Sequence, residues 1–334
     1  MRRGNKMLKK KIMIRRILMF AGWLACTCMF GSCYIGFSVD NPVAVYETNI
    51  SYHDADRYLT GSGSSAAVRD LDIEWIAGEL RVVCDDGHDI RWEEYRESEL
   101  PDEWKMRYYL EDSVLHIRFC QEGKVRIKNV TKMLTLRIPK SVRLDDVRIT
   151  ASSSDVRLSE GLFCNNLTIN GVSGDMSLAG VHGKSAAVST TSGDLSLSRV
   201  NVHTLDVKSV SGDVSVREGQ CGSVSAETSS GDLHLLSTLA ENYTLNSVSG
   251  DISLEKSGFF DRMTVNNVSG DVRLLLSDRA GFTLRTATVS GSFRSREALL
   301  YQDGVYSHGD GSADVDVHTV SGDISLQFFS SSPQ

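Results

Sequence analysis

A row of aspartates is the feature of this sequence with the clearest capacity for chemistry. The acids recur about every twenty residues, mostly in the triplet Ser-Gly-Asp, at Asp155, Asp175, Asp194, Asp213, Asp232, Asp251, Asp271 and Asp323. Stacked carboxylates could hold Ca²⁺, which takes about six to eight oxygen ligands. The candidate ligands are Asp194, Asp213, Asp232 and Asp251. The calcium-binding β-roll has a period of about nine residues, which differs from this one. The pattern therefore favours the alternative, in which Asp and Ser hydrogen-bond the backbone of a turn.

The elements that carry these acids repeat with a nearly constant period. The period is measured between the last positions of successive triplets, with the degenerate copies that end at Asp155 and Ser292 included. The steps are 20, 19, 19, 19, 19, 20, 21 and 31 residues. Such a period predicts stacked copies of one supersecondary unit. The glycine of each triplet is predicted to lie at a bend with positive φ. These structural turn residues are Gly174, Gly193, Gly212, Gly231, Gly250, Gly270, Gly291 and Gly322.

Apolar residues alternate with polar residues on both sides of each triplet. Before the third complete triplet stand Leu205 and Val207, and after it stand Val214 and Val216. Alternation of this kind predicts half-buried β-strands. A further valine three positions before the Asp is assigned to the core by the same pattern. This column comprises Val172, Val210, Val248, Val268, Val289 and Val320.

One repeat cannot be stable alone, because burial of a few apolar side chains offsets only part of the entropy lost in ordering its backbone. The sequence therefore predicts an all-β, single-stranded β-helix-like solenoid with about 19–20 residues per coil, stacked at about 4.8 Å. The alternative is a stacked β-hairpin meander in which Ser211-Gly212 is a two-residue turn. That arrangement would set Leu205 opposite Glu218, and this mismatch favours the solenoid.

An uncharged run of 23 residues, 17–39, follows eight Lys and Arg residues. This run is long enough to cross a bilayer as a helix, and the basic flank predicts a cytoplasmic N-terminus. The C-terminal repeat region is then extracytoplasmic, on a single-pass protein of the cell membrane. The alternative is a lipoprotein anchored at Cys33, although Phe30 stands where bacterial lipoproteins usually have leucine.

The chain thus divides into segments of different character. They are a basic cytoplasmic tail (1–16), a transmembrane helix (17–39), a tether and linker (40–69), an N-terminal β region (70–140), the Ser-Gly-Asp repeats (141–328) and a short tail (329–334). The N-terminal β region contains an atypical repeat, Leu71–Val82, with Glu79 in the Asp place, and aromatic residues such as Trp92 and Trp104 that could cap the stack. The linker includes the flexible phrase Gly61-Ser62-Gly63-Ser64-Ser65.

Charge and motif content argue against several classes of function. Beyond residue 40 the chain holds 28 basic and 42 acidic residues, a net charge of −14, and this acidity argues against nucleic-acid binding. The eight histidines share no metal-ligand spacing, and neither a P-loop nor a dinucleotide fingerprint occurs. We therefore predict no catalytic, cofactor-binding or firm metal-binding residues. The scattered spacing of Cys84, Cys120, Cys164 and Cys221 is more typical of small apolar core residues, and it assigns no disulfide pairing.

Several motifs together resemble a known family. They are Asp54–Tyr58, Leu71–Val82, Leu134–Lys140 and the recurring Val-Ser-Gly-Asp-Val phrase. The chain is similar over nearly all of residues 50–328 to the bacterial β-strand-repeat family called "putative adhesin" (domain of unknown function 4097). The resemblance implies a membrane-anchored envelope protein and carries over no catalytic residues.

Three functional hypotheses follow. The first is a non-enzymatic surface or interaction protein of the cell envelope, with an unknown protein or cell-wall partner. The second is a sensory or regulatory component of an envelope-stress response. The third, a polysaccharide-active β-helix enzyme, would need acids or bases outside the repeat pattern, and the sequence shows no such cluster.

Overall fold

The computed structural model describes residues 58–64, 67–97, 100–120 and 130–330. The predicted transmembrane segment 17–39, the basic tail and Cys33 lie outside these residues. Within the described ranges, no helix has both the length and the apolar character needed to span a membrane. The described chain divides into two compact units, residues 58–204 and 205–330, and each is described by itself.

The first unit consists of β-strands and one turn of 3-10 helix, Asp102–Trp104. Its strands are β1 (Tyr58–Ser64), β2 (Asp70–Asp85), β3 (Asp89–Tyr95), β4 (Arg107–Glu111), β5 (Val114–Arg118), β6 (Lys132–Pro139), β7 (Leu144–Leu158), β8 (Leu162–Ser173), β9 (Met176–Ala179), β10 (Val181–Ser192), β11 (Leu195–Ser198) and the start of β12 (Asn201–Ser211). Each coil has a long strand, the Gly corner and a short strand. Long strands pair in parallel with long strands and short with short, so that Ala186 lies opposite Leu167 and Leu195 opposite Met176.

The parallel register decides between the two predicted arrangements. Residues 19 positions apart are partners in β8 and β10, as a stack of coils requires. A hairpin meander would instead pair consecutive strands of one repeat in antiparallel fashion. The solenoid-like all-β prediction is confirmed, and the hairpin meander is wrong for these repeats.

The N-terminal end of the first unit is a cap of antiparallel strands. Strand β2 pairs in parallel with β7, with Glu79 opposite Asp155, as the repeat alignment predicted. On its other edge β2 pairs in parallel with β5 and then with β6. Strand β4 pairs antiparallel with β5, and β3 pairs antiparallel with β6. Strand β1 then pairs antiparallel with β3. The prediction of a flexible linker is therefore wrong for residues 61–64, whose backbone hydrogen-bonds to β3, the strand that would otherwise end the sheet.

The second unit continues the same plan from β12. Its further strands are β13 (Val214–Arg217), β14 (Gln220–Ser230), β15 (Leu233–Leu236), β16 (Leu239–Ser249), β17 (Ile252–Ser257), β18 (Arg262–Ser269), β19 (Val272–Ser277), β20 (Phe282–Ser290), β21 (Phe293–Ser295), β22 (Leu300–Gln302), β23 (Val305–His308), β24 (Ala313–Ser321) and β25 (Ile324–Phe329). Parallel pairing again joins long strands to long and short to short, for example β14 to β16 and β15 to β17.

The coil order at the C-terminal end of the second unit differs from the chain order. Strand β24 lies between β18 and β20, so the coil with Asp323 is inserted between those with Asp271 and Ser292. The long step between Ser292 and Asp323 contains the hairpin β22–β23, and β23 pairs antiparallel with β20. The last long strand is thereby held between two others, while the hairpin covers part of the terminal edge.

Side chains alternate between core and solvent along both strands of a coil. Leu205, Val207, Val214 and Val216 are fully buried, as the period predicted. The assignment of the valine three positions before the Asp to the core is wrong, because strict alternation from Val207 places residue 209 inside. The valines of that column are only partly buried and point outward. The inward positions beside them hold Thr190, Ser209, Thr228, Ser247, Asn267 and Thr319, all buried.

Candidate interaction surface

The Gly corner is shaped by the close approach of successive coils. All eight triplet glycines have φ between +126° and +158°. A Cβ on Gly250 would lie 2.0 Å from the carbonyl oxygen of Gly231, and one on Gly193 would lie 2.2 Å from that of Gly174. Glycine is needed here because the stacking leaves no room for a side chain.

The aspartates join one coil to the next. Within each unit, the backbone N–H of an Asp donates to a carboxylate oxygen of the Asp in the preceding coil of the stack. In the first unit Asp194 donates to Asp175 Oδ1 at 2.9 Å, and in the second unit Asp251 donates to Asp232 Oδ1 at 2.7 Å. The last link is from Ser292 to Asp323 at 2.8 Å. In each accepting Asp, one carboxylate oxygen is therefore hydrogen-bonded to a backbone N–H of the adjacent coil.

The predicted calcium candidates are placed in this ladder. Asp213 and Asp232 each accept the N–H of the following Asp, and the second oxygen of Asp251 pairs with Arg273 at 2.8 Å. Burial alone would raise the pKa of Asp251, but the N–H of Asp271 and the Arg273 guanidinium hold it below its ordinary value. Across the described ranges, no three His, Cys, Asp or Glu side chains are grouped so as to hold a metal ion.

A second corner column was missed from the sequence. At or near the end of five of the short strands, one residue takes the left-handed conformation, with φ between +51° and +63°. These residues are Gly180, Arg199, Glu218, Ser237 and Lys256. Because only the first is glycine, no shared residue type marks the position. Their spacing of 19 residues is the one signal that could have revealed it.

A buried ionic cluster lies in the cap of the first unit. Glu94 pairs with Lys132 and, at 3.1 Å, with Arg96, and all three side chains are almost fully buried. Lys132 Nζ also donates to the carbonyls of Trp104 and Phe119 and lies 3.9 Å from the centre of the Phe119 ring. Burial lowers the pKa of Lys132, and the Glu94 carboxylate only partly opposes this. The cluster joins β3 and β6 and is shielded from solvent, so a substrate could not reach it.

The buried cysteines show the same shielding. Burial raises the pKa of Cys84 to about 11 and that of Cys164 to about 12. Thiols with such values are almost fully protonated at neutral pH and are poor nucleophiles. They pack as small apolar side chains.

A partly exposed surface of unusual composition, the outer valine patch, lies in the second unit. It is formed by the outward side chains of four adjacent coils, nearest the Gly corner. Its members are the partly buried Val248, Val268, Val320 and Val289, with Asn266, His318 and Ala287 beside them. Asn246 lies in the same row but is only 3% exposed. Asn266 donates to Asn246 Oδ1 at 3.0 Å, which orients the amides along the stack.

The outer valine patch is free of charge but bordered by charge. On one side Arg285 pairs with Asp316 at 3.2 Å, and on the other Arg273 pairs with Asp251. Burial lowers the pKa of His318, while Asp316 opposes this, so the imidazole is neutral at pH 7. An uncharged centre inside a polar rim is the anatomy of a protein interaction surface. The alternation of side chains could have revealed this orientation. Continued from Val207, it places residue 209 inside and Val210 outside, and the valines of the patch occupy the position of Val210 in their own coils.

Comparisons with known proteins identify the fold. The profile of the family described as Toastrack, DUF4097, matches residues 113–327. No curated protein matches the chain.

Three solved structures match this chain at low sequence identity. A "putative lipid binding protein" from Parabacteroides distasonis ATCC 8503 is 15% identical, with a TM-score of 0.52, and the match covers 82% of this chain and 97% of that one. A "putative cell adhesion protein" from Clostridium sporogenes ATCC 15579 is 12% identical, covering 82% and 99%, with a TM-score of 0.26. A "putative adhesin" from Bacteroides fragilis NCTC 9343 is 13% identical, covering 82% and 98%, with a TM-score of 0.34.

Proposed function

Because the chain belongs to the Toastrack family of DUF4097 proteins, we propose that it is a non-enzymatic interaction protein of the bacterial cell envelope. It binds a protein or cell-wall partner through the outer valine patch. The observation that carries this proposal is the inversion near the Gly corner, where valines point outward and are partly exposed while hydroxyl side chains are buried. β-propensity alone would favour valine on a strand surface, but it does not account for the lack of charge in an otherwise acidic ectodomain.

Two further points support a binding role over catalysis. The acids that recur in the sequence are engaged in the inter-coil ladder, as in the bond from Asp251 to Asp232. The buried ionic cluster of Glu94 and Lys132 is closed to solvent. A flat, partly apolar strand face suits contact with an extended surface, where several small contributions add up.

The proposed location rests on the sequence. The uncharged segment 17–39 anchors the chain in the membrane, the basic residues before it stay in the cytoplasm, and the repeats lie outside. Protease added to intact, wall-stripped cells should then digest the repeat region. Full protection of that region would contradict the proposed topology.

Binding tests the function itself. The purified full chain is incubated with isolated cell-wall material and with membranes of the producing bacterium, and the bound fraction is measured. Replacing Val248 and Val268 together by Lys should weaken binding by about tenfold or more, because each charge must be desolvated at the contact. The matched control replaces Ser215 and Ser253, outward residues of the short strands, by Lys and should bind as the parent does. Equal binding by all three proteins would overturn the proposal.

A further inference from the structure

A column of polar side chains runs through the interior of the second unit beside the Gly corner. Its members in successive coils are Ser209, Thr228, Ser247, Asn267 and Thr319, and each is at most 3% exposed. We call it the inner hydroxyl column. Among the residues that the structure describes, the four hydroxyls and Asn267 Oδ1 have no hydrogen-bond partner. Buried polar atoms are nearly always paired in native proteins, since an unpaired one costs about 1–3 kcal/mol.

Asn267 shows what the surroundings of the column require. Its amide nitrogen donates to the carbonyl oxygen of Gly250 at 3.0 Å and to that of Gly270 at 2.9 Å. The carbonyl oxygens of the Gly corner can therefore accept a hydrogen bond from a donor at the position of the Asn267 amide nitrogen. The hydroxyl of serine at the same position lies one bond closer to the backbone than the amide nitrogen of asparagine. In the terminal coil the hydroxyl of Thr288 lies 3.4 Å from the carbonyl oxygen of Gly322, at the outer limit of a hydrogen bond. Ser247 Oγ has no such partner.

The coil spacing determines what can fill that place. Equivalent atoms of adjacent coils are separated by about 4.8 Å. This distance is too long for a direct bond between hydroxyl oxygens, which requires about 2.7–2.8 Å. It is, however, the separation that one water molecule spans when it makes a bond of about 2.8 Å to each side. A water there would have two hydroxyls and a glycine carbonyl as partners, within the two to four that buried waters need.

We propose that the inner hydroxyl column binds a file of buried waters, one between each pair of adjacent coils. Each water bridges consecutive members, such as Thr228 and Ser247, and donates to a carbonyl of the Gly corner. The amide of Asn267 takes the place of one such water in its own coil. The file explains why hydroxyl residues recur inside an otherwise apolar core.

The same oxygen-rich column could coordinate a monovalent cation, and the test separates the two ligands. The full chain is crystallised at a resolution that shows ordered water, from sodium, potassium and choline salts in turn. Peaks with water-like distances near Ser247 Oγ and Gly231 O, present in all three salts, are expected. Peaks that appear only with one cation, or an empty column, would overturn the proposal.

Three variants at one position give an independent readout in solution. Ser247→Asn should match or exceed the parent in Tm, because its amide replaces a bridging water as Asn267 does. Ser247→Thr keeps the hydroxyl and should melt within a few degrees of the parent. Ser247→Val removes the hydroxyl and should lower the Tm by more than Ser247→Thr does. The proposal fails if Val melts as high as Thr, since the column would then need no hydrogen-bonded ligand.

Discussion

At the scale of single residues, the stack depends on the absence of side chains at the Gly corner. Gly250→Ala should destabilise the protein by well over about 1 kcal/mol, because its Cβ would meet the Gly231 carbonyl oxygen at 2.0 Å in a left-handed region. Chemical denaturation measures the loss. Gly304→Ala is the matched control: Gly304 also has positive φ, +88°, but nothing lies within 4 Å of its Cβ. Equal losses in the two variants would show that φ, and not coil spacing, sets the requirement for glycine.

The acid ladder makes a residue-scale prediction about calcium. Asp232→Asn should change stability by no more than about 0.5–1.5 kcal/mol, because Asn still offers an oxygen to the Asp251 N–H. Melting curves with millimolar Ca²⁺ and with a chelator should coincide for the parent. A large rise in Tm with calcium, lost when Asp213, Asp232 and Asp251 are all replaced by Asn, would indicate a metal site instead.

The ladder also predicts a dependence on acid. The pKa of Asp251 is lowered in the folded state, so its contribution to stability is fully present above its ordinary pKa of about 3.9 and is lost as pH falls through the folded value. The free energy of unfolding should therefore decrease below about pH 4. Asp251→Asn should show a shallower decrease over that range. Identical slopes for the two proteins would argue that Asp251 is not tied to its partners.

At the scale of elements, the cap of the first unit depends on a buried ion pair. Lys132→Met should cost about 3–5 kcal/mol, because it leaves the Glu94 carboxylate buried without its nearest cation. Arg148→Met removes an exposed partner of Asp146 and should cost at most about 1 kcal/mol. Unfolding in urea compares the two. Similar losses would mean that the buried pair contributes no more than a surface pair does.

The strands and the stack could be predicted from sequence because period 2 and a period of about 19 residues are both local signals. The valine column was misassigned because hydrophobicity outweighed strict alternation at Val210, where Ser209 faces inward. The insertion of β24 between β18 and β20 is set by long-range pairing, which no local pattern encodes. The strand Tyr58–Ser64 escaped prediction for a similar reason, since its Gly-Ser composition indicates a linker unless β3 supplies a partner.

At the scale of the whole molecule, each of the two units has a long strand that is paired on both edges near one described end of the chain. In the first unit β2 lies between β7 and the pair β5 and β6, and in the second unit β24 lies between β18 and β20. Antiparallel strands then cover the outer edges in part, which limits edge-to-edge association. In the second unit, the outer valine patch thus lies on coils whose terminal edge is partly covered by the hairpin β22–β23.

The central proposal is that the outer valine patch is the surface that binds the partner. A photo-crosslinking amino acid placed at Val268 of the full chain, in living cells, tests it most directly. The same label at Ser253, an outward residue of a short strand, serves as the control. We predict one discrete crosslinked species from position 268 and none from position 253. Crosslinking at neither position, or equally at both, would contradict the claim.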